Sequence, residues 1–341
     1  MALLTLGDAT DLTDVAIQKI FLKQTQLEKK TYFDKYYNVE TGVVDRLLKD
    51  SSLSGMGQAA RIVENSVITS EAPIQGYDKT YTQVEFGKLL PVTKQMWKFG
   101  IKKRNLEKVA KALKNACLRY REVFCADRLD QSYNTSYNKT DDSGTYAVTV
   151  SGGDAVAMIS NAHTREDGGA NWNNRVTDGV TVNMDFDYDA VKAAHRTASL
   201  ILDPKGQKMD VMLDTLICTR GSSVAFRAQE ILEGLKRGGL KSIPGSADND
   251  SAATMYGGNS IAFNVIELPY ITTNTAYWWM MDSSMKSDEY GLQYKESQGI
   301  ELEGPNVVFK TGEIQYKSTM MFDIGHNDAR NIVGSKNTNA A

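Results

Sequence analysis

The fold of this protein is decided by residues 105–131, which read NLEKVAKALKNACLRYREVFCADRLDQ. No glycine or proline interrupts this stretch, and a helix of that length is a rod of about 40 Å. Apolar side chains recur at spacings of three and four, which places them on one face of the helix. They are Leu106, Val109, Leu113, Cys117, Tyr120 and Phe124. The stretch therefore predicts a long amphipathic helix that packs along the body of the fold.

Basic side chains lie between the apolar positions of this helix: Lys108, Lys111, Lys114, Arg119 and Arg121. The whole chain has 39 basic and 42 acidic residues, a formal net charge of −3. Proteins whose main task is to grip phosphates usually carry a basic excess. We therefore interpret these positions as a solvated face or as a surface that meets the acidic side chains of a partner. Any contact with nucleic acid is expected to be weak and independent of sequence.

The bulk composition is that of a folded protein with a sizeable core. The chain has 341 residues, 41% hydrophobic and 24% charged, enough for two or three lobes. Cys117 and Cys125 lie about 12 Å apart along the predicted helix, too far for a disulfide, so we interpret them and Cys218 as buried apolar side chains. We find no signal peptide and no run of roughly 20 apolar residues, and we expect cytoplasmic synthesis and no membrane contact.

Two segments precede the long helix. Residues 11–50 carry helical signals and an aromatic cluster, and two interpretations stay open: an arm that packs on neighbouring copies, or a helical pair on the same core. Residues 58–101 look extended, with an apolar run at 62–68, a turn-rich stretch, and apolar strands at 81–86 and 92–99. This pattern predicts a long two-stranded hairpin. Because an isolated ribbon is marginally stable in water, it needs something to lie against.

Shorter elements follow the long helix. Amphipathic helices are predicted at 188–200, capped by Asp185 or Asp187, and at 222–235, capped by Ser222. The tail from Gly334 to Ala341 is expected to fray. The overall pattern is α+β, with no βαβ alternation and no internal repeat. Apolar or alternating patterns predict strands at 146–150, 211–217, 261–268, 276–281 and 314–324.

No constellation of catalytic or ligand side chains is complete in the sequence. Asp185-Phe186-Asp187-Tyr188-Asp189 opens like a calcium loop, but Ala190 and Arg196 stand where that loop requires glycine and glutamate. We therefore predict no catalytic residue, no metal or cofactor site, and no enzymatic activity. The histidines lack the paired spacing of a zinc site, and structural or solvent-exposed roles are expected for them: His163, His195 and His326.

The order of elements resembles the Hong Kong 97 fold of tailed-phage major capsid proteins: an arm, a long hairpin, a long helix, a second helix, a compact insertion and a final long strand. A local run also resembles a loop of Mu-like phage head proteins: Ser160–Thr164, Gly168–Gly169 and Asn171–Asn174. In that group a helix, an Asp-Pro-x-Gly turn and an apolar strand follow the loop, as they do here at 188–200, Asp203–Gly206 and Asp210–Ile217. The sequence departs from the group at Met158-Ile159-Ser160, where the family has Phe-Ser, and at Thr164, where it has proline.

The resemblance implies a division of the chain into four parts. These are an N-terminal arm at 1–50, an extended hairpin loop at 51–100, a peripheral domain at 101–208 and 295–341 with the spine helix 105–131, and an axial domain at 209–294. It also implies the function: the major capsid protein of a tailed double-stranded DNA bacteriophage, which self-assembles into pentamers and hexamers of an icosahedral shell. Assembly would take place in the host cytoplasm, and the protein would end in the virion capsid. Its partners would be further copies of itself, scaffolding, portal and decoration proteins, and weakly held DNA.

Two other classes of protein stay open at this point. An encapsulin-type nanocompartment shell shares the fold but packages a protein cargo, and the Asn-rich loop at 160–174 disfavours it. A hydrolase with an unrecognised site would be a monomer or small oligomer with a cleft. Genome neighbours separate the first alternative from a phage protein, and the size of the assembled particle separates the second.

Overall fold

The computed structural model describes residues 28–53, 55–59, 61–62, 70–93, 103–236, 263–287 and 290–337, together with Lys19, Phe21 and Val67. The helices with described bounds are α1 (Phe33–Tyr36), α2 (Lys103–Asp130), α3 (Tyr188–Ala198) and α4 (Ser223–Lys236). The strands are β1 (Tyr37–Thr41), β2 (Leu47–Leu53), β3 (Gln75–Thr82), β4 (Val84–Val92), β5 (Ser136–Asp141), β6 (Gly144–Thr149), β7 (Thr215–Thr219), β8 (Asn264–Leu268), β9 (Trp278–Met281), β10 (Leu292–Val307), β11 (Ile314–Gly325) and β12 (Ile332–Ser335). Short 3-10 turns lie at Glu28–Lys30 and Ser284–Ser287.

Within the described residues the structure has two four-stranded sheets, and the one with the longer strands, called the larger sheet, lies against the long helix. Its strand order is β1-β10-β11-β4, with β1 parallel to β10 and the other neighbours antiparallel. The apolar face of α2 packs across β4 and β11, because burying both apolar surfaces together removes them from water. Phe86, Tyr120, Phe124 and Phe322 meet there, with contacting ring centroids 4.9–6.0 Å apart. The predicted helix 105–131 and strand 314–324 are confirmed, with small shifts at their ends.

The smaller sheet has the strand order β12-β9-β7-β8. Its strand β9 is buried along its whole length, as a continuous apolar run indicates. β7 and β8 run parallel and are joined through α4, so β7-α4-β8 is a βαβ unit. The expectation of no βαβ alternation is therefore wrong at this place. Residues 237–262, which are rich in Gly, Ser and Asn, separate α4 from β8 in the sequence. Because of this separation, the strand–helix–strand order was not recognised from the sequence.

Helices α3 and α4 begin at the residues that follow their predicted N-caps. The Asp187 carboxylate accepts the Ala190 N–H at 2.6 Å, and the Ser222 hydroxyl accepts the Ala225 N–H at 3.2 Å. The predicted inner face of α3 is buried, including Val191 and Ala194. Both helices are confirmed.

The segment before the hairpin packs on the core of its own chain. Phe33, Tyr36 and Tyr37 are buried, and the Glu122 carboxylate of α2 accepts the Tyr32 N–H. Of the two interpretations left open for residues 11–50, same-core packing therefore holds for 28–41. The predicted helical pair is wrong for this part, which forms only the one-turn α1 followed by β1. Apart from Lys19 and Phe21, the residues before 28 lie outside the described part of the chain.

The hairpin is present, but its outgoing strand is not the one predicted. β2 pairs antiparallel with β3, from Leu47 opposite Thr82 to Leu53 opposite Gln75. The apolar run at 62–68 was predicted as that strand, whereas Ile62 and Val67 have no regular structure. β2 reads LLKDSSL, so four polar residues separate its leucines and no alternating apolar pattern marked it as a strand. The returning strand continues through Gln83 into β4 of the larger sheet, and residues 94–99 lie outside the described part.

Three other features differ from the sequence-based expectations. β10 was not predicted, because glycines and a proline interrupt the alternation of apolar and polar residues along it. The strand predicted at 146–150 is present as β6, which pairs with β5 in a hairpin. Fraying from Gly334 onward is wrong for Gly334 and Ser335, which are buried in β12 where it closes the smaller sheet against β9. β12 therefore shares a sheet with β7, β8 and β9 of the segment 209–294. The predicted division had instead assigned residues 295–341, which include β12, to the peripheral domain.

The cysteines are buried and free, as their interpretation as apolar side chains predicts. No helix within the described ranges is long and apolar enough to cross a membrane.

Candidate functional site

The ribbon formed by β2 and β3, which we call the hairpin ribbon, exposes apolar side chains on a thin two-stranded support. Leu47 and Leu53 are 63% and 59% exposed, and Met56 beyond β2 is 66% exposed. The Lys49 ammonium and the Ser51 hydroxyl bond the Asp78 carboxylate across the strands and lower its pKa to about 2. The ribbon is therefore held in register by polar side chains and leaves its leucines free for contacts outside the subunit.

The hairpin ribbon is fastened to the body along β3 by hydrogen bonds. The Asn327 amide donates to the Tyr77 carbonyl at 3.0 Å, and the Lys79 ammonium donates to the Ser151 carbonyl at 2.7 Å. The Thr82 N–H donates to the Asp323 carboxylate at 2.8 Å. These bonds reach two segments of the body, the residues around Ser151 and the end of β11 with the turn after it, so they hold β3 against the body.

Behind these bonds lies a buried polar cluster centred on His163. Its Nδ1 lies 2.7 Å from the Asp154 carboxylate and its Nε2 lies 3.2 Å from the Asn174 amide oxygen. The ring stacks on Trp172, with centroids 4.3 Å apart. The Asn174 amide also donates to the Met158 and Ile332 carbonyls. The Asn-rich loop thus binds the start of β12 to the segment that precedes the loop.

A second part of the polar cluster is built around Arg330, which is 1% exposed. Its guanidinium contacts the Glu166 carboxylate at 3.2 and 3.3 Å, the Asp328 carboxylate, and the Leu202 carbonyl at 2.7 Å. Burial raises the pKa of Asp328 to about 6, although the Arg330 charge opposes the shift. The two carboxylates compensate the cost of removing the guanidinium charge from water. Their shared contacts with Arg330 hold three loops together.

The third part joins α2 to the end of β11. The Arg128 guanidinium lies 3.1 Å from His326 Nδ1, and because arginine can only donate, Nδ1 must accept and the ring is neutral. Burial, together with the Arg128 and Lys79 charges, holds the pKa of His326 well below its usual range. Burial and the Arg128 charge also lower the pKa of Lys79 to about 8.

The structure brings together some of the residues that the sequence singled out and not others. His163 and His326 face the same small internal cavity, while His195 lies in α3, where burial lowers its pKa. Asp187 caps a helix. Sequence reasoning missed Arg330, although the polar run at 326–331 between two apolar strands was a usable signal. It also missed the pairing with Glu166, because that contact depends on the folded chain.

The basic positions of α2 divide into two groups. Lys108, Lys111 and Arg119 are exposed, as a solvated or partner-facing surface requires. Lys114 instead pairs with Glu28 at 2.7 Å, and the Arg121 guanidinium lies over the Phe33 ring at 4.4 Å. The second group therefore holds the segment 28–36 of the same chain.

Taken together, these contacts can hold segments of polypeptide in fixed relative positions. The polar cluster joins the hairpin ribbon, the loop at 154–174 and the turn at 326–331 to α2. Within the described residues, no group of three or more His, Cys, Asp and Glu side chains is arranged to hold a metal ion.

Comparison with known proteins identifies the family. The sequence profile of the family described as phage capsid protein matches residues 76–335, which is most of the chain. This range begins in the hairpin ribbon and ends at β12, so it includes both sheets and the polar cluster. No curated protein sequence matches the chain.

Solved structures agree with that family in fold. A chain of Microbacterium phage Oxtober96 superposes with a TM-score of 0.50 at 8% identity, covering 98% of this chain and 99% of that one. A chain of Mycobacterium phage Che8 gives 0.48 at 12% identity, covering 91% and 92%. The capsid of a native GTA particle gives 0.48 at 9% identity, covering 92% and 95%. Neither the encapsulin nor the hydrolase alternative is favoured by these comparisons. The chain belongs to the phage capsid protein family, with the Hong Kong 97-type fold and the function of a phage major capsid protein.

Proposed function

We propose that copies of this chain assemble into pentamers and hexamers, which close into an icosahedral shell around double-stranded DNA. The observation that carries the proposal is the family match over residues 76–335 together with the hairpin ribbon at the start of that range. A two-stranded ribbon with exposed leucines is marginal in water and gains stability when a neighbour covers it. The subunit's own body holds β3 along its length, and Lys205 also pairs with Glu71 before β3 at 2.8 Å. Leu47 and Leu53 of β2 nevertheless stay exposed.

Shell assembly needs contacts that are modest one at a time and repeated many times. In a symmetric assembly the same surface patch is used by every copy, so two or three leucines per subunit become many buried contacts per particle. The fastening of β3 to the body supports this role, because a ribbon already held in one position loses less conformational entropy when it makes each contact. We propose the hairpin ribbon as the main inter-subunit element of the described chain.

The charge balance supports a wall that encloses DNA and binds it weakly. With a net charge of −3, the chain lacks the basic excess of a protein that grips phosphates tightly. We propose scaffolding, portal and decoration proteins as its other partners, assembly in the host cytoplasm, and a structural role without catalysis. The division into an arm at 1–50, a loop at 51–100, a peripheral domain at 101–208 and 295–341, and an axial domain at 209–294 is likewise proposed.

The test is electron microscopy of the protein expressed alone. We expect closed shells or curved sheets, and a protein that remains a monomer or a small oligomer at all concentrations would contradict the proposal. Leu53→Asp, which puts a charge on the exposed face of the ribbon, should abolish particles while the melting temperature of the subunit stays unchanged. Val180→Asp is the control, because Val180 is 91% exposed but lies outside the ribbon.

A further inference from the structure

Asn174 fixes the role of one ring nitrogen of His163. The amide nitrogen of Asn174 donates to the Met158 carbonyl at 2.8 Å and to the Ile332 carbonyl at 3.1 Å. Its amide oxygen accepts the Ser160 N–H at 2.8 Å. These main-chain contacts leave the amide only one orientation, in which its oxygen faces the ring. His163 Nε2 lies 3.2 Å from that oxygen and must therefore donate to it.

The other ring nitrogen of His163 also faces an acceptor. Its Nδ1 lies 2.7 Å from Oδ2 of Asp154, whose second oxygen accepts the Val156 N–H at 3.1 Å. An ionised carboxylate can only accept hydrogen bonds, so Nδ1 must donate as well. A ring that donates from both nitrogens carries two protons and a positive charge.

The charges around the ring favour this protonated form of His163, which is 2% exposed. Carboxylates outnumber guanidinium groups among the described residues that line the small cavity beside the ring. The carboxylates belong to Asp154, Glu166 and Asp328, and the guanidinium belongs to Arg330. A buried imidazolium that donates to a carboxylate is compensated for the loss of its hydration by that pair.

His326 lines the same cavity in the opposite charge state. Its Nδ1 accepts from the Arg128 guanidinium, so this ring is neutral. Burial, and after it the charges of Arg128, Lys79 and His163, hold the pKa of His326 well below its usual range. One of the two buried histidines therefore carries the charge, and the other is kept from gaining one.

The charged ring lies where the hairpin ribbon touches the loop. Thr164, the residue after His163, shares a hydrogen bond of 2.7 Å with the Tyr77 hydroxyl of β3. Gly153, the residue before Asp154, donates its N–H to the Asn327 carbonyl at 2.7 Å, and the Asn327 amide in turn holds the Tyr77 carbonyl. The pair of His163 and Asp154 thus joins the two places at which Tyr77 is held.

We propose that His163 keeps its second proton at neutral pH and is a pH-sensitive switch, which holds residues 154–174 against Tyr77 of the ribbon and releases them as pH rises. Above the ordinary histidine pKa of about 6.5, the folded chain then holds one proton more than the unfolded chain. The equilibrium constant for opening of the loop should therefore increase by up to about tenfold for each pH unit. These contacts lie within one subunit, so the switch operates without assembly.

Other groups that titrate near neutral pH must be separated from His163. Burial and the Arg128 charge lower the pKa of Lys79 to about 8, so its effect has the opposite sign, because the folded chain then holds fewer protons than the unfolded chain. Burial raises the pKa of Asp328 to about 6 and that of Glu122 to about 7, and both effects have the same sign as the one expected for His163. Variants at the His163 pair distinguish these contributions.

Nitrogen NMR of unassembled subunits with isotopically labelled histidines counts the protons on each ring. At pH 7.5 an ordinary histidine is about nine-tenths neutral. We expect one doubly protonated ring in the wild type, and its signal should be missing from His163→Gln. His195→Gln is the matched control and should keep the signal, because His195 lies in α3, where burial lowers its pKa. A neutral His163 at this pH would overturn the proposal.

Asp154→Asn is the second variant, and it keeps an oxygen for the Val156 N–H while removing the charge that faces Nδ1. The doubly protonated signal should disappear from this variant at pH 7.5 although the protein stays folded. Hydrogen exchange then measures the release of the ribbon. From pH 6.5 to 8.5, the protection factors of amides in β3 and in residues 160–174 should fall about tenfold more in the wild type than in Asp154→Asn. An equal fall in both proteins would mean that His163 has only a structural role, and the switch would be refuted.

Discussion

Arg330 shows how a single buried charge can organise a protein surface. Its guanidinium is withdrawn almost completely from water and is compensated by Glu166, Asp328 and a carbonyl. Removing one partner from such a group leaves the others buried and unpaired, which costs more than the attraction itself contributes. The three loops joined there lie beside Tyr77 of the hairpin ribbon.

Arg330→Met should destabilise the subunit by about 3–5 kcal/mol, because two carboxylates then remain buried without a cation. Urea unfolding of dissociated subunits measures this directly. The control is Arg227→Met on α4, where an exposed ion pair with Glu230 at 3.0 Å should contribute less than about 0.5 kcal/mol. Equal losses in the two variants would show that the buried cluster has no special role.

Glu122 makes stability depend on pH. Burial raises its pKa to about 7, while the Tyr32 N–H and the Arg121 charge oppose the shift. Because its pKa is higher in the folded than in the unfolded chain, the stabilising contribution is complete below about pH 4 and is lost as pH rises through about 7. Glu122→Gln cannot ionise. The free energy of unfolding of this variant, relative to wild type, should therefore increase by about 1–3 kcal/mol between pH 4 and pH 8. A difference that stays constant over this range would contradict the assignment.

At the residue scale, the sequence predicted roles that depend on neighbours along the chain. Asp187 and Ser222 stand immediately before the helices that they cap and bond N–H groups three residues later, so their spacing was sufficient evidence. The partner of Arg330 lies 164 residues away, and no local pattern contains that information. The histidines show the same limit, because His163 and His326 meet only after the larger sheet and the Asn-rich loop have come together.

At the scale of elements, the hairpin ribbon depends on a close fit between two strands. Tyr81 of β3 is fully buried against Gly325 at the end of β11. A methyl group placed on Gly325 would lie 2.5 Å from the Tyr81 ring, closer than carbon atoms can approach. Since Tyr81 has no free space into which it can move, the strands would have to separate.

Gly325→Ala should therefore lower the stability of the subunit by about 1–3 kcal/mol, measured by urea unfolding. It should also speed hydrogen exchange of the amides in β3, because the ribbon loses its anchor. Gly55→Ala is the control, since no atom lies within 4 Å of the added methyl group and its effect should be within about 0.5 kcal/mol. Normal exchange in β3 of Gly325→Ala would mean that the ribbon is fastened by its polar bonds alone.

The elements that the sequence predicted are those with a local periodic signal. α2, α3, α4 and β11 repeat at helical or strand spacing and were placed almost correctly. β10 escaped because its hydrogen-bonding partners, β1 and β11, supply the regularity that its own residues lack. β2 escaped for a related reason, because the side chains on its half-buried face are mostly polar and so do not give the alternation of polar and apolar residues that predicts a strand.

At the scale of the whole molecule, the end of the chain completes the smaller sheet. β12 is buried along its length and pairs with β9, whose Trp278 and Trp279 are fully buried. Without β12, Trp279 would lose its cover at Gly334, and the buried side chains of Ile332 and Val333 would be missing from the core. Domains are stable by only about 5–15 kcal/mol, so we expect this loss to be a large part of the total.

Termination of the chain after Asn331 should therefore yield protein whose tryptophan fluorescence is shifted to the red and which does not assemble. Termination after Asn337 keeps β12 and is the control, with fluorescence and melting temperature expected to match the wild type. A folded, assembly-competent protein ending at Asn331 would show that the smaller sheet is stable with three strands.

The larger sheet of a subunit can form only after β10, the partner of β1, has been synthesised. Asn38 contacts Gln293, 255 residues later in the chain. At about 5–20 residues per second, a ribosome needs roughly 10–50 s to reach the partner of β1 after making it. β4, which anchors the hairpin ribbon in the larger sheet, must likewise wait for the distant strand β11. A nascent chain therefore cannot complete the larger sheet around its ribbon until β10 and β11 have been made, and we expect assembly to start from nearly complete chains.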